Sequence, residues 1–339
     1  MYRCIELARK GAGYVAPNPM VGAVLVQDGR IIGEGWHQHY GEAHAEVNAL
    51  ACTDLSVLPR TATLYVSLEP CAHQGKTPPC ADLVIRQGIP KVVIGCRDPF
   101  AAVNGKGIEK LKAAGIEVVE GVLENECREL NKRFFTFHEK KRPYVILKWA
   151  QTADGYMAHP AGNSNRLLIT NPLTNRLVHQ WRSEEAGILV GTRTALADDP
   201  LLTNRLVPGP SPLRLLLDME LRLPSGLQLL NREYPTLVFN GLKDEVQENL
   251  EYCRLDKNKS LISQLMSALH ERNIQSVLVE GGARLLQSFL DADTWDEARV
   301  ITNSRLYIRD GLQAPVAGKG CITDLVQLDD DRISIRLND

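Results

Sequence analysis

The segments "HAEVNAL" (44–50) and "LEPCAHQGKTPPC" (68–80) decide the fold of the first half of the chain, because together they contain three side chains of the types that ligate metals. These are His44, Cys71 and Cys80. Catalytic zinc sites use three protein ligands and keep a fourth position open, whereas structural zinc sites use four protein ligands. Two thiolates and one imidazole balance the charge of the ion, and a water molecule in the open position becomes a nucleophile near neutral pH. The two segments therefore predict a catalytic zinc centre.

Glu46 follows His44 by two positions and is not needed as a ligand. A carboxylate there can transfer protons between the nucleophilic water, a ring nitrogen and a departing amine. The pattern contains the His-x-Glu and Pro-Cys parts of the zinc nucleobase-deaminase signature, but eight residues instead of two separate the two cysteines. A structural zinc site with His73 as fourth ligand is the alternative, and it leaves Glu46 without a role. We expect Cys71 and Cys80 each to lie near the start of a helix, where the positive helix end favours thiolates.

The composition is that of an ordinary globular protein. Of the 339 residues, 44% are hydrophobic and 24% are charged, and the formal net charge is −2. This balance argues against nucleic acid or an acidic membrane surface as a partner. No apolar run has the length of a membrane span, and the start "MYRCIELARKGAG" lacks the pattern of a secretory signal. We expect a cytoplasmic protein without a disulfide framework.

Helix and strand patterns alternate along the chain and indicate two α/β domains. The charged, proline-containing segment "FHEKKRPY" (137–144) separates them, which gives a first domain at residues 1–141 and a second at 142–339. The first domain begins with a helix over 2–11 and a hairpin that turns at Asp28-Gly29. Its other predicted elements are helices from about 44 and about 80 and over 105–114 and 123–137, with strands over 62–68, 91–96 and 116–121. The second domain is predicted to contain strands over 144–150, 186–191, 213–218, 235–239, 275–280 and 296–302, helices over 172–183, 260–272 and 282–290, and a long loop over 200–212.

Two features of the second half suggest phosphate binding. In "VEGGARLLQSFL" (279–290) a strand, a glycine pair and a helix follow one another, so free N–H groups at the helix start could hold a phosphate. The segment is not the G-x-G-x-x-G fingerprint, and a simple turn is the alternative. Arg182 and Arg205 could each bind a phosphate through two parallel hydrogen bonds, although a single arginine is usually solvated.

The zinc-binding residues lie within a longer pattern of four segments. These are "PNPMVGAVLV" (17–26), "GWHQHYGEAHAEVNAL" (35–50), "VSLEPCAHQGKTPPC" (66–80) and "DPFAAVNGKG" (98–107). Together they resemble the deaminase half of the bifunctional RibD family of riboflavin biosynthesis. The resemblance implies a cytidine-deaminase-like α/β/α sandwich with one zinc ion per chain and Glu46 as the catalytic residue. It also implies hydrolytic removal of the C2 amino group from a diamino-pyrimidinone that carries a phosphoribosylamino arm.

The same resemblance assigns Asn18, His37 and Lys76 to the substrate, with Lys76 directed at its phosphate. For Asn18 the alternative is a turn residue between two prolines, and Lys76 could equally be a solvated loop charge. One departure concerns the fourth segment, where Phe100-Ala101 replaces the Asn-Pro of the family. Asn104 could take over the role of the missing asparagine.

Three segments of the second half carry a second resemblance. They are "LKWAQTADGYMA" (147–158), "ITNPLTNRLVHQWRSEEAGILVGTRTALADDPLLTNR" (169–205) and "LVEGGARLL" (278–286). They resemble the reductase half of the same family, which is similar to dihydrofolate reductase. This implies NADPH-dependent reduction of the ribose, opened to its aldehyde form, to a ribityl chain, with Lys148 polarising the carbonyl. The implied cofactor-binding residues are Ala150, Leu168, Thr194, Asp198, Gly282, Ala283, Arg284, Leu285, Leu286, Gln287 and Ser288, and the implied substrate-binding residues are Arg182, Leu202, Arg205 and Glu280.

Two departures bear on the cofactor. Leu168 stands where the family has a Trp that packs on the cofactor, and Met219 stands where it has a Ser that would bond a cofactor phosphate. We expect NADPH rather than NADH, and a catalytically silent second domain for binding or dimerisation is the alternative. The family further implies a homo-oligomer, a dimer or a tetramer, joined through the reductase domain. The balanced charge disfavours a tRNA deaminase, and a purely structural, metal-stabilised protein is the remaining alternative.

Overall fold

Asp28 and Gly29 form the turn of the predicted hairpin, and both have positive φ angles, 49° and 76°. Positive φ at both central residues is what the commonest two-residue hairpin turn needs. The hairpin belongs to the first of two units, residues 1–141 and 142–339. The computed structural model describes residues 1–53, 61–72, 78–101, 103–160, 162 and 167–338.

The first unit is a sheet covered by helices on both faces. Its elements are α1 (Tyr2–Arg9), β1 (Gly22–Gln27), β2 (Arg30–Trp36), α2 (Ala45–Ala51), β3 (Thr63–Leu68), α3 (Cys80–Arg86), β4 (Lys91–Cys96), α4 (Lys106–Ala113), β5 (Glu117–Val119), α5 (Glu124–Leu130) and α6 (Lys132–Lys140). The strand order is β2-β1-β3-β4-β5, antiparallel from β2 to β3 and parallel from β3 to β5. One core takes its helical residues from α2, α3 and α4, and cores on the other face take theirs from α1, α5 and α6. This is the predicted α/β/α sandwich.

Helix α2 lies directly against the hairpin because β2 carries a glycine beneath it. A Cβ added at Gly35 would come within 2.3 Å of the backbone nitrogen of Ala49. Ala45 and Ala49 are themselves fully buried. The close approach fixes the start of α2, where His44 is the N-cap residue and Glu46 lies in the first turn.

The single helix predicted over 123–137 is wrong, because two helices, α5 and α6, occupy this part of the chain. They meet at Asn131, whose backbone (φ −107°, ψ 25°) leaves the helical region. Its side-chain amide donates to the carbonyl of Met20 at 2.9 Å, and its side-chain oxygen accepts from the N–H of Met20 at 2.8 Å. These long-range bonds hold Asn131 out of a continuous helix, and the local apolar pattern contains no sign of them.

The second unit is built on one large sheet. Its elements are β6 (Tyr144–Gln151), β7 (Tyr156–Ala158), α7 (Pro172–Glu184), β8 (Gly187–Gly191), α8 (Thr192–Asp198), β9 (Leu213–Leu217), β10 (Thr236–Asn240), β11 (Glu245–Gln247), β12 (Leu250–Arg254), α9 (Leu261–Glu271), β13 (Ser276–Val279), α10 (Ala283–Asp291), β14 (Glu297–Asn303), β15 (Leu312–Gln313), β16 (Cys321–Leu328) and β17 (Asp331–Leu337). Ten strands form the order β11-β12-β10-β9-β8-β13-β6-β14-β17-β16, and β7 pairs with β15 separately. The strands from β12 to β14 in this order are parallel.

Several elements of the second unit were not predicted from the sequence. Strands β16 and β17 form an antiparallel pair at one edge, and β16 is mostly exposed. An exposed edge strand lacks the apolar alternation that marks a strand in a sequence. Helix α8 buries only Ala195, so its helical pattern is equally weak. The segment 200–212, predicted as a loop, contains no helix or strand.

Because parallel strands present their carboxyl ends at one edge, the residues that follow β6, β8, β9, β10, β12 and β13 gather on the same side of the second unit. Within the described residues, no helix is both long and apolar enough to cross a bilayer.

Candidate functional site

The ligand atoms of His44, Cys71 and Cys80 converge at one place in the first unit. All three lie within 4.8 Å of one another. The Nδ1 atom of His44 is 3.3 Å from the sulfur of Cys80 and 3.6 Å from the sulfur of Cys71. A tetrahedral zinc ion with bonds of about 2.0 Å to nitrogen and 2.3 Å to sulfur would separate these atoms by roughly 3.5 Å. The donor set and its spacing therefore fit zinc.

Cys80 is the first residue of α3, as expected. Cys71 follows β3 without helix or strand structure, and residues 73–77, on which the expectation for Cys71 depends, lie outside the described residues. The backbone N–H of Cys80, the first residue of α3, donates to the sulfur of Cys71 at 3.3 Å. Hydrogen bonds from Cys80 and from His44 hold the pKa of Cys71 well below its usual range, although burial alone would raise this pKa. The proposed fourth ligand of a structural site, His73, lies outside the described residues.

Glu46 is buried beside this cluster, with 3% of its surface exposed. Burial, together with the charge of Cys71, raises the pKa of Glu46 to about 7. A carboxyl group with such a pKa can both accept and release a proton near neutral pH. Its place in the first turn of α2 follows from the close packing of that helix on the hairpin.

His37 lies next to the cluster, and Asn18 contacts His37. The Nδ1 atom of His37 is 3.0 Å from the carbonyl of Ala43, which can only accept, so Nδ1 carries the proton. Nε2 is then the acceptor for the amide of Asn18, at 3.0 Å. Burial lowers the pKa of His37, and its ring packs edge-on against that of His44 with centroids 5.4 Å apart. The third predicted substrate residue, Lys76, lies outside the described residues.

Glu69 is a buried residue of this site that the sequence reasoning missed. Its carboxylate accepts backbone N–H groups from Asp98 (3.3 Å), Gly105 (2.9 Å), Gly107 (2.9 Å) and Ile108 (3.3 Å). It therefore ties the segment 98–108 to the strand end that leads into Cys71. The sequence signal that could have identified Glu69 is its position directly before Pro70-Cys71. Phe100 is 39% exposed on this segment, and Asn104 is also exposed.

We expect Glu69→Gln to destabilise the first unit strongly. A glutamine keeps one acceptor oxygen and turns an NH₂ group towards donors, so at least two buried N–H groups lose their partner. Each such loss costs about 1–3 kcal/mol, which makes a total of roughly 3 kcal/mol reasonable. Urea unfolding measures it, with Glu120→Gln as the control, because Glu120 pairs with the surface cations Arg97 and Lys112. Equal losses of unfolding free energy in Glu69→Gln and Glu120→Gln would contradict the role of Glu69 as acceptor for the buried N–H groups.

In the second unit, Lys148, Arg182 and Glu280 form a buried charged cluster. Arg182 donates to Glu280 through two bonds, 2.9 Å from Nε and 2.7 Å from Nη2. The Nζ atom of Lys148 is 3.8 Å from the same carboxylate. Lys148 lies on β6 and Glu280 directly after β13, which is the neighbouring parallel strand. Burial lowers the pKa of Lys148 in spite of Glu280.

The long loop that carries Leu202 and Arg205 is attached to α7. The carbonyl of Thr203 accepts from Arg182 at 3.3 Å, and the backbone N–H of Arg205 donates to Nδ1 of His179 at 2.9 Å. The side chain of Arg205 is exposed. Leu202 instead buries its side chain in the core, so only its backbone is available to a ligand. His179, which the sequence reasoning missed, therefore fixes the loop that presents Arg205.

Acid should weaken the Arg182–Glu280 pair. Burial opposes ionisation of Glu280, but Arg182 and Lys148 outweigh it and lower the pKa of Glu280 to about 2. Because this value lies below the ordinary one, ionised Glu280 stabilises the fold above about pH 4.5, and the contribution is lost as the pH falls towards 2. We expect the difference in unfolding free energy between wild type and Glu280→Gln to be constant above about pH 5 and to shrink below it. Urea unfolding across this range measures it, and a difference that persists unchanged at about pH 2.5 would contradict the pairing.

The glycine pair at the start of α10 forms a cradle that suits a phosphate. A Cβ at Gly281 would lie 2.8 Å from the side chain of Val190, and Gly282 has a φ of 71°. A Cβ at Gly282 would lie 3.3 Å from the hydroxyl of Thr194 on α8. Gly282 is the N-cap of α10 and provides no side-chain cap, so N–H groups of the first turn remain available to a phosphate. These features fit a dinucleotide.

Some of the other predicted cofactor residues lie at the edge formed by the carboxyl ends of the parallel strands, and others lie in the core. Ala150 lies near the carboxyl end of β6 and Asp198 is exposed at the end of α8. On α10, the side chains of Leu285 and Leu286 are buried in the hydrophobic core. Leu168 is 77% exposed. The remaining predicted residues, Ala283, Arg284, Gln287 and Ser288, lie on α10.

Both units match known protein families. Residues 1–96 match the family model of the cytidine and deoxycytidylate deaminase zinc-binding region, and residues 143–307 match that of the RibD C-terminal domain. The chain is 44% identical to the riboflavin biosynthesis protein RibD of Aquifex aeolicus (strain VF5), with 87% of this chain and 83% of that protein covered. It is 39% identical to RibD of Actinobacillus pleuropneumoniae, with 99% and 90% covered.

A solved structure is similar over the whole chain. It is the crystal structure of a diaminohydroxyphosphoribosylaminopyrimidine deaminase/5-amino-6-(5-phosphoribosylamino)uracil reductase from Thermotoga maritima, with a TM-score of 0.90 and 39% identity, covering 100% of this chain and 97% of that one. The identity and coverage of the two relatives are high enough to show the family. The chain therefore belongs to the RibD family of riboflavin biosynthesis proteins, with a deaminase domain followed by a reductase domain.

Proposed function

We propose that the first unit deaminates 2,5-diamino-6-(5-phosphoribosylamino)pyrimidin-4(3H)-one and that the second unit reduces the ribosyl group of the product, 5-amino-6-(5-phosphoribosylamino)uracil, to a ribityl group with NADPH. The convergence of three zinc-ligand atoms beside the buried Glu46 is the observation that carries the proposal. The similar Thermotoga maritima protein is named for the same two activities.

For the deaminase step, His44, Cys71 and Cys80 would hold one zinc ion per chain. A zinc ion supplies Lewis acidity that makes water a nucleophile near neutral pH. Glu46 takes a proton from the water, delivers a proton to the ring nitrogen next to C2, and later protonates the departing amine. Asn18 and the neutral His37, fixed to each other and to Ala43, present polar atoms for the pyrimidine ring.

For the reductase step, the cradle at Gly282 would hold the pyrophosphate of NADPH, a cofactor that supplies a hydride when bound. Lys148 is buried and lies beside Glu280, so in its protonated form it can donate a hydrogen bond to the aldehyde oxygen of the opened ribose as negative charge develops there. Arg182 keeps Glu280 ionised and attaches the loop of Thr203 to the site. Arg205 is placed by His179 to meet the phosphate of the substrate.

We further propose a homo-oligomer joined through the second unit, located in the cytoplasm, where its phosphorylated substrate and cofactor are retained. Edge strand β16 supports the oligomer, because Ile322 (46% exposed) and Leu325 (51% exposed) lie on it without cover. Exposed apolar edge strands in stable proteins are usually covered by another chain or element.

One assay tests both activities. The diamino-pyrimidinone substrate is supplied with and without NADPH, ammonia release and NADPH absorbance are followed, and the product mass is measured. We expect ammonia in both reactions and NADPH oxidation only where deamination has occurred, with a final product two hydrogens heavier than the deaminated intermediate. Ammonia release without oxidation would mean a catalytically silent second unit, and activity on cytidine or tRNA instead would overturn the substrate assignment.

A further inference from the structure

His179 connects α7 to the loop over 200–212 through a bond to the backbone of the loop. The histidine is buried, with 5% of its surface exposed, and its Nδ1 atom accepts the N–H of Arg205 at 2.9 Å. Because a backbone N–H can only donate, Nδ1 is unprotonated here and Nε2 carries the proton of the ring. The bond therefore exists only while His179 is neutral.

The loop is attached to α7 on both sides of Arg205. Before it, the carbonyl of Thr203 accepts from the guanidinium of Arg182 at 3.3 Å. After it, the loop packs closely on the helix, because a Cβ added at Gly209, whose φ is 137°, would lie 2.7 Å from Cβ of Ser183. With both attachments in place, loss of the bond to the ring would free the backbone of Arg205 to move between them.

The surroundings of the ring favour its neutral form. The charged groups that face it are Arg182 on α7, Arg205 on the loop and Glu280 after β13. Burial and the two arginines lower the pKa of His179, although Asn204 and Glu280 act in the opposite direction. A proton on Nδ1 would face the N–H of Arg205, donor against donor, and would add a third positive charge beside the two arginines. The ring is therefore neutral near pH 7 and gains its proton in acid, below the ordinary histidine value of about 6.5.

The side chain of Arg205 is exposed, and among the described residues it makes neither a hydrogen bond nor an ion pair. Its guanidinium is therefore available to an anion. An arginine binds a phosphate most strongly through two parallel N–H donors, so the direction of the side chain matters as well as its charge. That direction starts from the backbone that His179 holds, and a shift of this backbone would weaken phosphate binding without a change at Lys148.

We propose that neutral His179 is a positioning residue of the reductase, which holds the backbone of Arg205 so that its guanidinium meets the substrate phosphate, and that a proton on the ring releases this segment and weakens substrate binding. The proposal rests on the reductase function proposed above. It assigns an effect of acid to the affinity for the phosphorylated substrate and not to hydride transfer beside Lys148.

Steady-state reduction of the deaminated intermediate by wild type, His179→Asn and His179→Leu tests the proposal. Asparagine places an acceptor oxygen near the position of Nδ1 but does not titrate, whereas leucine fills the space and removes the acceptor. Near neutral pH, His179→Leu should raise KM by roughly tenfold with little change in kcat, because a contact present in both ground and transition state changes KM. His179→Asn should keep a KM close to that of wild type. Gln180→Leu is the matched control, since Gln180 is the next residue of α7, is exposed and bonds to Glu184.

The pH dependence is a readout that a purely structural role would not change. The substrate phosphate itself titrates near pH 6, so wild type and His179→Asn are compared at each pH, where this contribution is the same for both. The titration of the ring, followed by NMR on isotope-labelled histidine, gives the pH at which the two should diverge. Below it, the KM of wild type should rise several-fold above that of His179→Asn, because only wild type loses its acceptor.

Equal KM values for His179→Leu and Gln180→Leu, or equal KM values for wild type and His179→Asn on both sides of the ring titration, would overturn the proposal. The second comparison decides the matter even if His179→Leu does not fold. Calorimetric titration of the deaminated intermediate without NADPH separates the proposal from the function on which it rests. Binding that weakens in His179→Leu but not in His179→Asn, in a protein that never oxidises NADPH, would support the role of His179 while overturning the reductase function.

Discussion

Glu46→Gln should abolish ammonia release while the protein keeps its zinc and its reductase activity. Glutamine has nearly the same shape as glutamate but cannot accept and release a proton, so transfer from water to the ring nitrogen and the departing amine stops. General acid–base catalysis of this kind contributes about 10²–10⁴-fold, and we expect a loss of at least that size. The ligand atoms of His44, Cys71 and Cys80 are untouched by the substitution.

The measurement is ammonia release from the diamino-pyrimidinone, with zinc content determined on the same samples. Glu42→Gln is the matched control, because Glu42 precedes His44 by two residues and is exposed beside His39. The reductase step is checked by supplying the deaminated intermediate with NADPH. Normal deamination by Glu46→Gln would show that another group moves the protons, and loss of zinc would show that Glu46 supports the metal instead.

Lys148→Gln should have the opposite pattern, with deamination preserved and NADPH oxidation reduced by roughly 10²–10³-fold. The reason is that an aligned donor at a developing oxyanion contributes about this much to the rate. Glutamine still donates a neutral hydrogen bond but brings no charge. The two bonds between Arg182 and Glu280 remain, so the surrounding fold should persist.

Single-turnover reduction of the deaminated intermediate measures this effect. Lys243→Gln is the control within the same unit, since Lys243 makes a surface pair with Glu245. If both variants reduce the intermediate at the wild-type rate, Lys148 does not polarise the sugar carbonyl. If both substitutions stop reduction, the effect is structural. The Glu46 and Lys148 variants together separate the two activities within one chain.

Family membership and the α/β fold class were predictable from the sequence and are confirmed by the comparisons. Short-range patterns explain this success. The hairpin at Asp28-Gly29 and the segment around His44 can be recognised from residues that are adjacent in the sequence. The convergence of Cys71 and Cys80 on His44 needs the tertiary fold, yet the residue types suggested it because few other sites use two thiolates, one imidazole and an adjacent carboxylate.

The features that the sequence did not reveal depend on contacts between distant segments. In the sequence, Glu69 is one residue of the Glu-Pro-Cys motif. The fold shows that its carboxylate accepts four backbone N–H groups from residues 98–108. Asn131 interrupts a helical pattern through bonds to Met20. Leu285 was assigned to the cofactor as part of a segment, and the structure shows that its side chain lies in the hydrophobic core. Assigning a whole segment to a ligand ignores that a helix presents only one face to it.

The roles of the individual residues rest on one claim, that two sulfurs and one imidazole hold a zinc ion whose fourth position is left to solvent. X-ray absorption at the zinc edge of the wild-type protein tests this most directly. We predict one zinc per chain with two sulfur neighbours at about 2.3 Å and two nitrogen or oxygen neighbours at about 2.0 Å, one of which exchanges with added small anions. Three or four sulfur neighbours, four protein ligands with no exchangeable position, or a protein that binds no zinc would contradict the account.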